Sequence, residues 1–306
     1  MISVAMATYN GEKYIQEQLI SIVNQTVLPD EIIVRDDISS DNTYEIIEEF
    51  ANKYNGIRWD IKRNDTNLGF VKNFIGALGA CNEEIIILCD QDDLWRADKV
   101  EKTIDFFSDP RVMSLHNDID IIDEKGDLVK KSVLGYKLQK EKVSAESFVK
   151  NIYYCGMSSA FRSVLLPEML SIDENRIPIH DWLVHALAVC KDGFYKSSDV
   201  LAYRRYHGDN VALNFSKGTR EGINQRIEVV SYYCWHYDIL NEINKRFGTN
   251  PKSIAFTEKV MLVNQHRLEY LRKQSLVKAL SRVIDTKYYP TRKAFISDLL
   301  YLVHVF

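Results

Sequence analysis

The chain has 306 residues, of which 46% are hydrophobic and 27% charged, a composition typical of an ordinary soluble globular protein. No uncharged apolar stretch approaches the roughly 20 residues that cross a bilayer, and the first residues lack the basic start of a secretory leader. The five cysteines include no C-x-x-C pair, which argues against structural zinc or a disulfide framework and favours the reducing cytoplasm.

The net charge of −4 conceals two regions of opposite sign. Residues 1–212 carry a net charge of −11, whereas residues 213–306 carry +7. We therefore predict two domains with these bounds and different partners. The basic region also contains many aromatic residues, and we favour a membrane surface over nucleic acid as its partner.

The first ninety residues alternate between strand and helix patterns. Predicted strands cover residues 2–6, 31–35, 59–62 and 85–88, and a helical pattern follows each of the first three. Such alternation is typical of parallel βαβ units, so we predict an α/β fold. Further along, we predict short strands within 112–129, a solvated helix over 136–152, and helices over 223–246, 254–273 and 291–306.

Three carboxylates, Asp90, Asp92 and Asp93, directly follow the fourth predicted strand. Ligands of open α/β sheets bind beyond the carboxyl ends of the strands. Clustered carboxylates repel one another unless a cation joins them, and oxygen ligands suit Mg²⁺ or Mn²⁺. The pattern therefore indicates a metal–diphosphate site, with a solvated acidic turn as the alternative. No P-loop or Rossmann glycine motif occurs, so phosphate binding would depend on a metal.

Three more motifs carry polar chemistry. Asp36-Asp37 ends the second strand, Ile179-His180-Asp181-Trp182 comes later, and Arg204 to Asn210 includes a histidine and two adjacent arginines. The small residues of 154–160 suit either the close approach of a ligand or a tight packing turn.

In this order, the motifs resemble those of family 2 glycosyltransferases, and most of all the bacterial rhamnosyltransferase-like branch. Residues 90–95 match the D-Q-D-D-x-W form of the family's aspartate motif, and residues 4–11 are similar to its start. The resemblance covers about residues 2–212. It implies the GT-A fold, a mostly parallel mixed sheet flanked by helices, with residues 213–306 as a C-terminal helical extension.

The resemblance also implies how a nucleotide-sugar donor binds. Asp37 matches the carboxylate that accepts from the ring N–H of uracil or thymine, and Thr8 and Tyr9 match the wall of the base pocket. Asp90 matches the aspartate nearer the ribose. For Asp37, the structural alternative is a carboxylate that favours a helix N-terminus.

The diphosphate and its metal are assigned to four other residues. Asp92 matches the metal-contacting aspartate, and His207 resembles the late histidine that completes the metal sphere or contacts phosphate. Arg205 matches the arginine of the family's R-x-H, and Lys72 is a further phosphate candidate. The alternatives are a packed or solvated histidine and an ordinary surface lysine.

We expect Asp181 to act as the catalytic base of an inverting single displacement, with a helix N-cap as its structural alternative. A general base is typically worth about 10²–10⁴ in rate. The resemblance suggests transfer of L-rhamnose from dTDP-L-rhamnose to a saccharide acceptor during cell-surface polysaccharide synthesis. Alternatives are a UDP-hexose donor, a nucleotidyltransferase and a non-catalytic sugar-nucleotide-binding protein.

The segment 291–306 has basic residues first and a mostly apolar stretch after them. Acceptors in this family include lipid-linked saccharides, so the segment could lie at the inner face of the cell membrane. The alternative is a helix that packs on the body of the protein or on another subunit of an oligomer.

Overall fold

The computed structural model describes residues 1–207 and 222–303, which form two compact units. The first unit contains Met1–Val143, Tyr154–Ala188 and Gly193–His207. The second contains Ser144–Tyr153, Val189–Asp192 and the described residues from 222 onward. The predicted boundary between residues 212 and 213 lies outside the described residues.

A mixed sheet of ten strands forms the centre of the first unit. Its strands are β1 (Ile2–Thr8), β2 (Glu31–Asp36), β3 (Arg58–Arg63), β4 (Ile85–Cys89), β5 (Leu94–Trp95), β6 (Ser114–Ile122), β7 (Leu128–Lys130), β8 (Glu141–Lys142), β9 (Ser159–Arg162) and β10 (Phe194–Arg205). The order is β3-β2-β1-β4-β9-β6-β10-β5, with β7 on β6 and β8 on β10. Strands β3, β2, β1 and β4 run parallel, as do β6 and β10.

Helices connect the parallel strands and confirm the predicted α/β class. They are α1 (Ile15–Val23), α2 (Thr43–Lys53), α3 (Phe70–Leu78), α4 (Lys99–Phe107), α5 (Ala145–Phe148), α6 (Leu166–Leu170) and α7 (His180–Cys190). The aliphatic side chains of β2 and β4 are buried along the full length of each strand, as expected for a sheet covered on both faces. Thr8 pairs with Asp36, and Met6 pairs with Cys89, so the carboxyl ends of β1, β2 and β4 share one edge.

The predicted solvated helix over 136–152 is wrong. Strand β8 pairs with β10 within this range, and α5 is the one helix there, four residues long. Val143, Phe148 and Ile152 are buried. The segment contains many lysines, as a solvated helix would. Its apolar residues are buried, however, and part of its backbone pairs with β10.

Helices make up the described C-terminal part of the second unit. They are α8 (Gly222–Phe247), α9 (Pro251–Arg272), α10 (Leu276–Leu280) and α11 (Arg292–Leu302), with a 3₁₀ turn at Val283–Tyr288. The predicted helices over 223–246 and 254–273 are confirmed to within a few residues. Residues 304–306 of the third predicted helix lie outside the described residues.

A buried ion cluster joins three of these helices. Asp298 of α11 accepts from Arg226 Nε at 2.7 Å, from Arg267 Nε at 2.6 Å and from the Tyr270 hydroxyl at 2.6 Å. Two cations and a hydroxyl compensate for the desolvation of one carboxylate. Because Asp298 points inward, α11 packs against α8 and α9 within its own unit.

The cysteines are unpaired. All five are free thiols, as their odd number and spacing predict.

Candidate active site

The acidic loop, residues 90–93 after β4, is attached to strand β10 through Asp93. The buried Asp93 accepts from the backbone N–H of Arg205 on β10 at 2.9 Å. Burial, with the charges of Asp92 and Asp90, raises the pKa of Asp93 well above its usual range. The N-cap of the following helix, α4, is Asp98 and not Asp93.

Asp92 and His207 lie together, as predicted for a metal site. His207 Nε2 is 2.8 Å from Asp92 Oδ2, and their side chains are 9% and 21% exposed. Within residues 1–207 and 222–303, no group of three or more His, Cys, Asp or Glu side chains is placed to hold a metal. A carboxylate oxygen and an imidazole nitrogen still suit Mn²⁺, and less closely Mg²⁺, when a ligand supplies the remaining oxygens.

Asp90 lies between opposing charges. Burial and the charge of Asp92 raise its pKa to about 6, while Arg204 and the Met157 N–H stabilise its ionised form. The Arg204 guanidinium, partly buried, contacts Cys155 Sγ at 3.8 Å and interacts electrostatically with Asp90, Asp92 and Asp93. Arg204 is therefore the cation that faces the acidic loop.

Arg205, predicted to bind phosphate, has protein partners instead. Its buried guanidinium donates to Asp92 O at 3.1 Å, Glu124 O at 3.1 Å and Glu17 Oε2 at 2.6 Å, and lies over the Tyr14 ring. This geometry braces the acidic loop and gives the predicted phosphate contact no support. Of the two adjacent arginines, Arg204 is better placed for an anion.

A buried lysine that the sequence did not single out lies beneath the acidic loop. Lys99 Nζ donates to Met157 O at 2.7 Å and lies 4.9 Å from the centre of the Trp95 ring. Burial lowers the pKa of Lys99 to about 8, and the nearby Asp93 and Asp90 oppose this shift. Its position at the start of a charged helix gave no signal of burial.

Asp181 lies at the start of α7, where a base was predicted. It is 4% exposed, and its Oδ1 accepts from the Trp182 N–H at 2.6 Å. Burial raises the pKa of Asp181 from 3.8 to about 8, against the effect of that N–H, and the charge of Asp90 adds to the rise. A carboxylate with such a pKa accepts a proton near neutral pH.

Three polar groups converge on Gly156. A Cβ added there would lie 3.6 Å from His180 Nε2, 3.7 Å from Asp90 Oδ1 and 3.8 Å from Asp181 Oδ2. Asp90, His180 and Asp181 thus lie around Gly156, an arrangement compatible with both the close approach of a ligand and a tight packing turn.

The His180 ring is buried and stacks on Phe74 at 4.0 Å between centroids. Neither of its nitrogens has a hydrogen-bond partner among the described residues. Burial lowers the pKa of His180 to about 3, so the imidazole is neutral.

Two further buried histidines hold the turn that carries Gly156. His116 Nε2 accepts from the Cys155 N–H at 3.1 Å, which places the ring proton on Nδ1, where the Tyr136 hydroxyl lies at 2.9 Å. His185 Nε2 is 2.9 Å from Ser159 Oγ. Burial lowers the pKa of both histidines, so both are neutral supports.

The predicted base pocket lies at the ends of β1 and β2. Asp37 is buried and accepts from the N–H groups of Leu68 at 2.7 Å and Gly69 at 2.8 Å, and from Asn64 at 2.9 Å. A carboxylate has about four acceptor positions, so one on Oδ2 remains for a ligand. Thr8 is buried and donates to Asp36, which makes its side chain part of the support of this pocket.

Gln91 joins the base pocket to the acidic loop, a role that the sequence did not reveal. Its amide accepts from Tyr9 N and donates to Tyr9 O, both at 2.9 Å. A Cβ at Gly11 would lie 2.4 Å from Gln91 Oε1, so a side chain there would displace the Gln91 amide from this position. The Tyr9 side chain is 50% exposed at the mouth of the pocket.

Lys72, the weaker phosphate candidate, is paired elsewhere. Its Nζ donates to Asn175 at 2.8 Å and lies 3.3 Å from a Glu174 carboxylate oxygen. These contacts fit the ordinary structural alternative.

Comparison with known proteins identifies the family of this chain. It belongs to glycosyl transferase family 2, whose model matches residues 3–169, more than half of the chain. The family predicted from the motifs is thereby confirmed.

Two curated relatives match parts of the chain. The dTDP-rhamnosyl transferase RfbG of Shigella flexneri is 42% identical over 103 residues, 33% of this chain and 36% of the relative. The UDP-Glc:alpha-D-GlcNAc-diphosphoundecaprenol beta-1,3-glucosyltransferase WfgD of Escherichia coli is 27% identical over 157 residues, 51% and 57% of the two chains. The matches thus span between a third and just over half of these relatives.

Two solved structures share the fold. TarS of S. aureus in complex with UDP-GlcNAc has a TM-score of 0.63 at 18% identity, covering 99% of this chain and 90% of that one. The mannosyltransferase PcManGT of Pyrobaculum calidifontis with GDP-Man and Mn²⁺ has a TM-score of 0.57 at 17% identity, covering 99% and 84%. These likenesses concern the fold alone and confirm the predicted GT-A class.

We predict that Gly156→Ala lowers glycosyl transfer at least about tenfold without loss of stability. The new methyl group would make ordinary contacts of 3.6–3.8 Å, so the turn tolerates it, but it would fill the space between Asp90 and Asp181. Melting temperature and initial rate measure the two effects. Gly76→Ala, whose Cβ would have its nearest neighbour at 4.0 Å, is the control. Full activity of Gly156→Ala would show that this space takes no part in transfer.

Proposed function

We propose that the chain transfers a sugar from a nucleotide-sugar donor to a saccharide acceptor by an inverting single displacement. The observation that carries the proposal is the buried Asp181, whose Oδ2 lies beside Gly156 together with Asp90 Oδ1. Asp90 in turn follows β4 two residues before Asp92, the predicted metal ligand. A proton acceptor and a diphosphate site are thereby neighbours on one sheet edge.

The donor is proposed to bind across the ends of β1, β2 and β4. Its base would lie by Thr8 and Tyr9, with the ring N–H donating to the remaining acceptor position of Asp37. Asp90 would contact the ribose. Arg204 is proposed to balance the charge of the diphosphate, a role that favours it over the buried Arg205 and the paired Lys72.

Asp92 and His207 are proposed to hold Mn²⁺ or Mg²⁺ together with diphosphate oxygens. When bound, such an ion stabilises the charge that develops on the departing diphosphate. The acceptor hydroxyl attacks the anomeric carbon from the face opposite the diphosphate, and Asp181 takes its proton. The C–O bond to the diphosphate breaks as the new glycosidic bond forms, which inverts the anomeric configuration.

The donor sugar is proposed to be L-rhamnose from dTDP-L-rhamnose. The motif pattern and the partial match to the rhamnosyl transferase of Shigella support this choice. A UDP-hexose is the alternative, supported by the UDP-Glc named for WfgD and the UDP-GlcNAc bound in the TarS structure.

The acceptor is proposed to be a saccharide in cell-surface polysaccharide synthesis, carried on a lipid as in the substrate named for WfgD. The protein would then act in the cytoplasm, peripherally on the inner face of the membrane. Within the described residues no helix is long and apolar enough to cross a bilayer.

We predict that dTDP-L-rhamnose with Mn²⁺ or Mg²⁺ raises the melting temperature more than any other nucleotide sugar in a panel. A bound ligand stabilises the folded state by mass action. The shift should exceed that of dTDP alone. A larger shift with UDP-glucose or UDP-GlcNAc would select the alternative donor, and no shift with any nucleotide sugar would refute donor binding.

We predict that Asp181→Asn abolishes transfer but keeps nucleotide binding. The asparagine still accepts from the Trp182 N–H but takes no proton, so the rate should fall about 10²–10⁴-fold. Wild-type kcat/KM should rise with pH up to about 8, as Asp181 loses its proton. An active variant, or a wild-type rate that falls over this range, would exclude Asp181 as the base.

The melting temperature controls for damage to the fold in this variant. Because the pKa of Asp181 is higher in the folded chain, about 8, than its ordinary 3.8, wild-type stability falls as pH rises between these values. The neutral asparagine removes that loss. Asp181→Asn should therefore be at least as stable as the wild type at pH 8.

We predict that Asp92→Asn removes the metal-dependent part of nucleotide binding. Calorimetry of nucleoside diphosphate binding with and without Mn²⁺ should show an affinity gain for the wild type and, for the variant, a gain at least about tenfold smaller. Asp105→Asn, on the exposed side of α4, is the matched control. Equal Mn²⁺ dependence in Asp92→Asn and the wild type would exclude Asp92 as a metal ligand.

A further inference from the structure

We propose that a surface on α10 and the 3₁₀ turn after it binds anionic lipid membranes. It is formed by Val277, Leu280, Val283 and Ile284, which are 79%, 52%, 58% and 81% exposed, and we name it the 277–284 surface. This inference rests on the proposed lipid-linked acceptor and goes beyond it by assigning the residues that contact the bilayer.

The orientation of this segment is the reverse of an ordinary surface helix. Ala279 and Asp285 are buried and Leu276 is partly buried against the core of the unit, whereas the four aliphatic side chains of the 277–284 surface are exposed. A globular protein normally turns such side chains toward its core. Contiguous exposed apolar residues mark an interaction site.

The charge around the surface fits an anionic partner. Residues 269–293 contain seven Lys and Arg against two acidic residues: Glu269, which pairs with Lys273 and Lys278, and the buried Asp285. Lys278 lies between the apolar residues and is 54% exposed. Basic residues beside apolar side chains that enter the lipid are the pattern of peripheral membrane binding.

This charge also argues against a second copy of the chain as the partner. In a two-fold dimer the same patch meets itself, so two strongly basic segments would face one another. Like charges across an interface are unfavourable, whereas an anionic bilayer is complementary.

The proposed membrane surface lies one element earlier than the segment that the sequence suggested. In the predicted segment 291–306, Phe295, Asp298 and Leu302 are buried within the second unit, so packing, the alternative, describes α11. Ile296 of α11 is 58% exposed, whereas all four large aliphatic residues within 277–284 are at least 52% exposed.

The test is co-sedimentation of the full chain with phosphatidylcholine vesicles, with and without phosphatidylglycerol. We expect binding to the anionic vesicles that weakens with salt. The double variant Val277→Glu/Ile284→Glu should partition at least about tenfold less, because it loses two apolar contacts and adds two negative charges. Val164→Glu, at a site 61% exposed in the first unit, is the matched control and should bind like the wild type.

Equal partitioning of the double variant and the wild type would overturn the proposal. The proposal would also be overturned if the wild type did not bind vesicles but formed an oligomer and the double variant did not. The surface would then bind a second copy of the chain. These assays contain no donor or acceptor, so their failure leaves glycosyl transfer unaffected. If the protein bound vesicles but bound no nucleotide sugar, the result would count against the proposed function and not against the membrane surface.

Discussion

The site depends on keeping several carboxylates close together where parallel strands end. Asp90, Asp92 and Asp93 follow one buried strand, and their mutual repulsion is balanced by Arg204 on one side and the buried Lys99 beneath. Unpaired carboxylates in such a place would strongly destabilise the fold. The same loop carries Asp92, at which we propose that a divalent cation and a diphosphate bind.

The site also depends on a rigid turn with glycine at position 156. Neutral His116 and His185 hold the turn by hydrogen bonds that add no charge beside the carboxylates. Gly156 then allows Asp90 and Asp181 to approach one space. Asp181 is buried at this position, and the same burial raises its pKa. The packing of α7 therefore also sets the pH at which Asp181 can accept a proton.

In the second unit, one buried carboxylate decides which apolar residues face outward. Asp298 holds α11 against α8 and α9 through Arg226, Arg267 and Tyr270, and Phe295 and Leu302 of α11 are buried with it. The aliphatic residues of 277–284 stay exposed. A sequence window shows apolar and basic residues in both segments, and only this packing separates them.

Periodicity and motif order determined the α/β class, the strands before Asp36 and Asp90, the helices after residue 222 and the pairing of Asp92 with a late histidine. They failed over 136–152, where pairing of β8 with β10 and burial of apolar residues outweighed a solvated helical pattern. They also favoured Arg205 over Arg204. Successive side chains of a strand point to opposite faces, so the adjacent arginines on β10 have different partners: Arg205 donates to Asp92 O and Glu17, and Arg204 interacts with the carboxylates. Tertiary structure alone decided which of them faces the carboxylates, because that depends on what packs against each face of the strand.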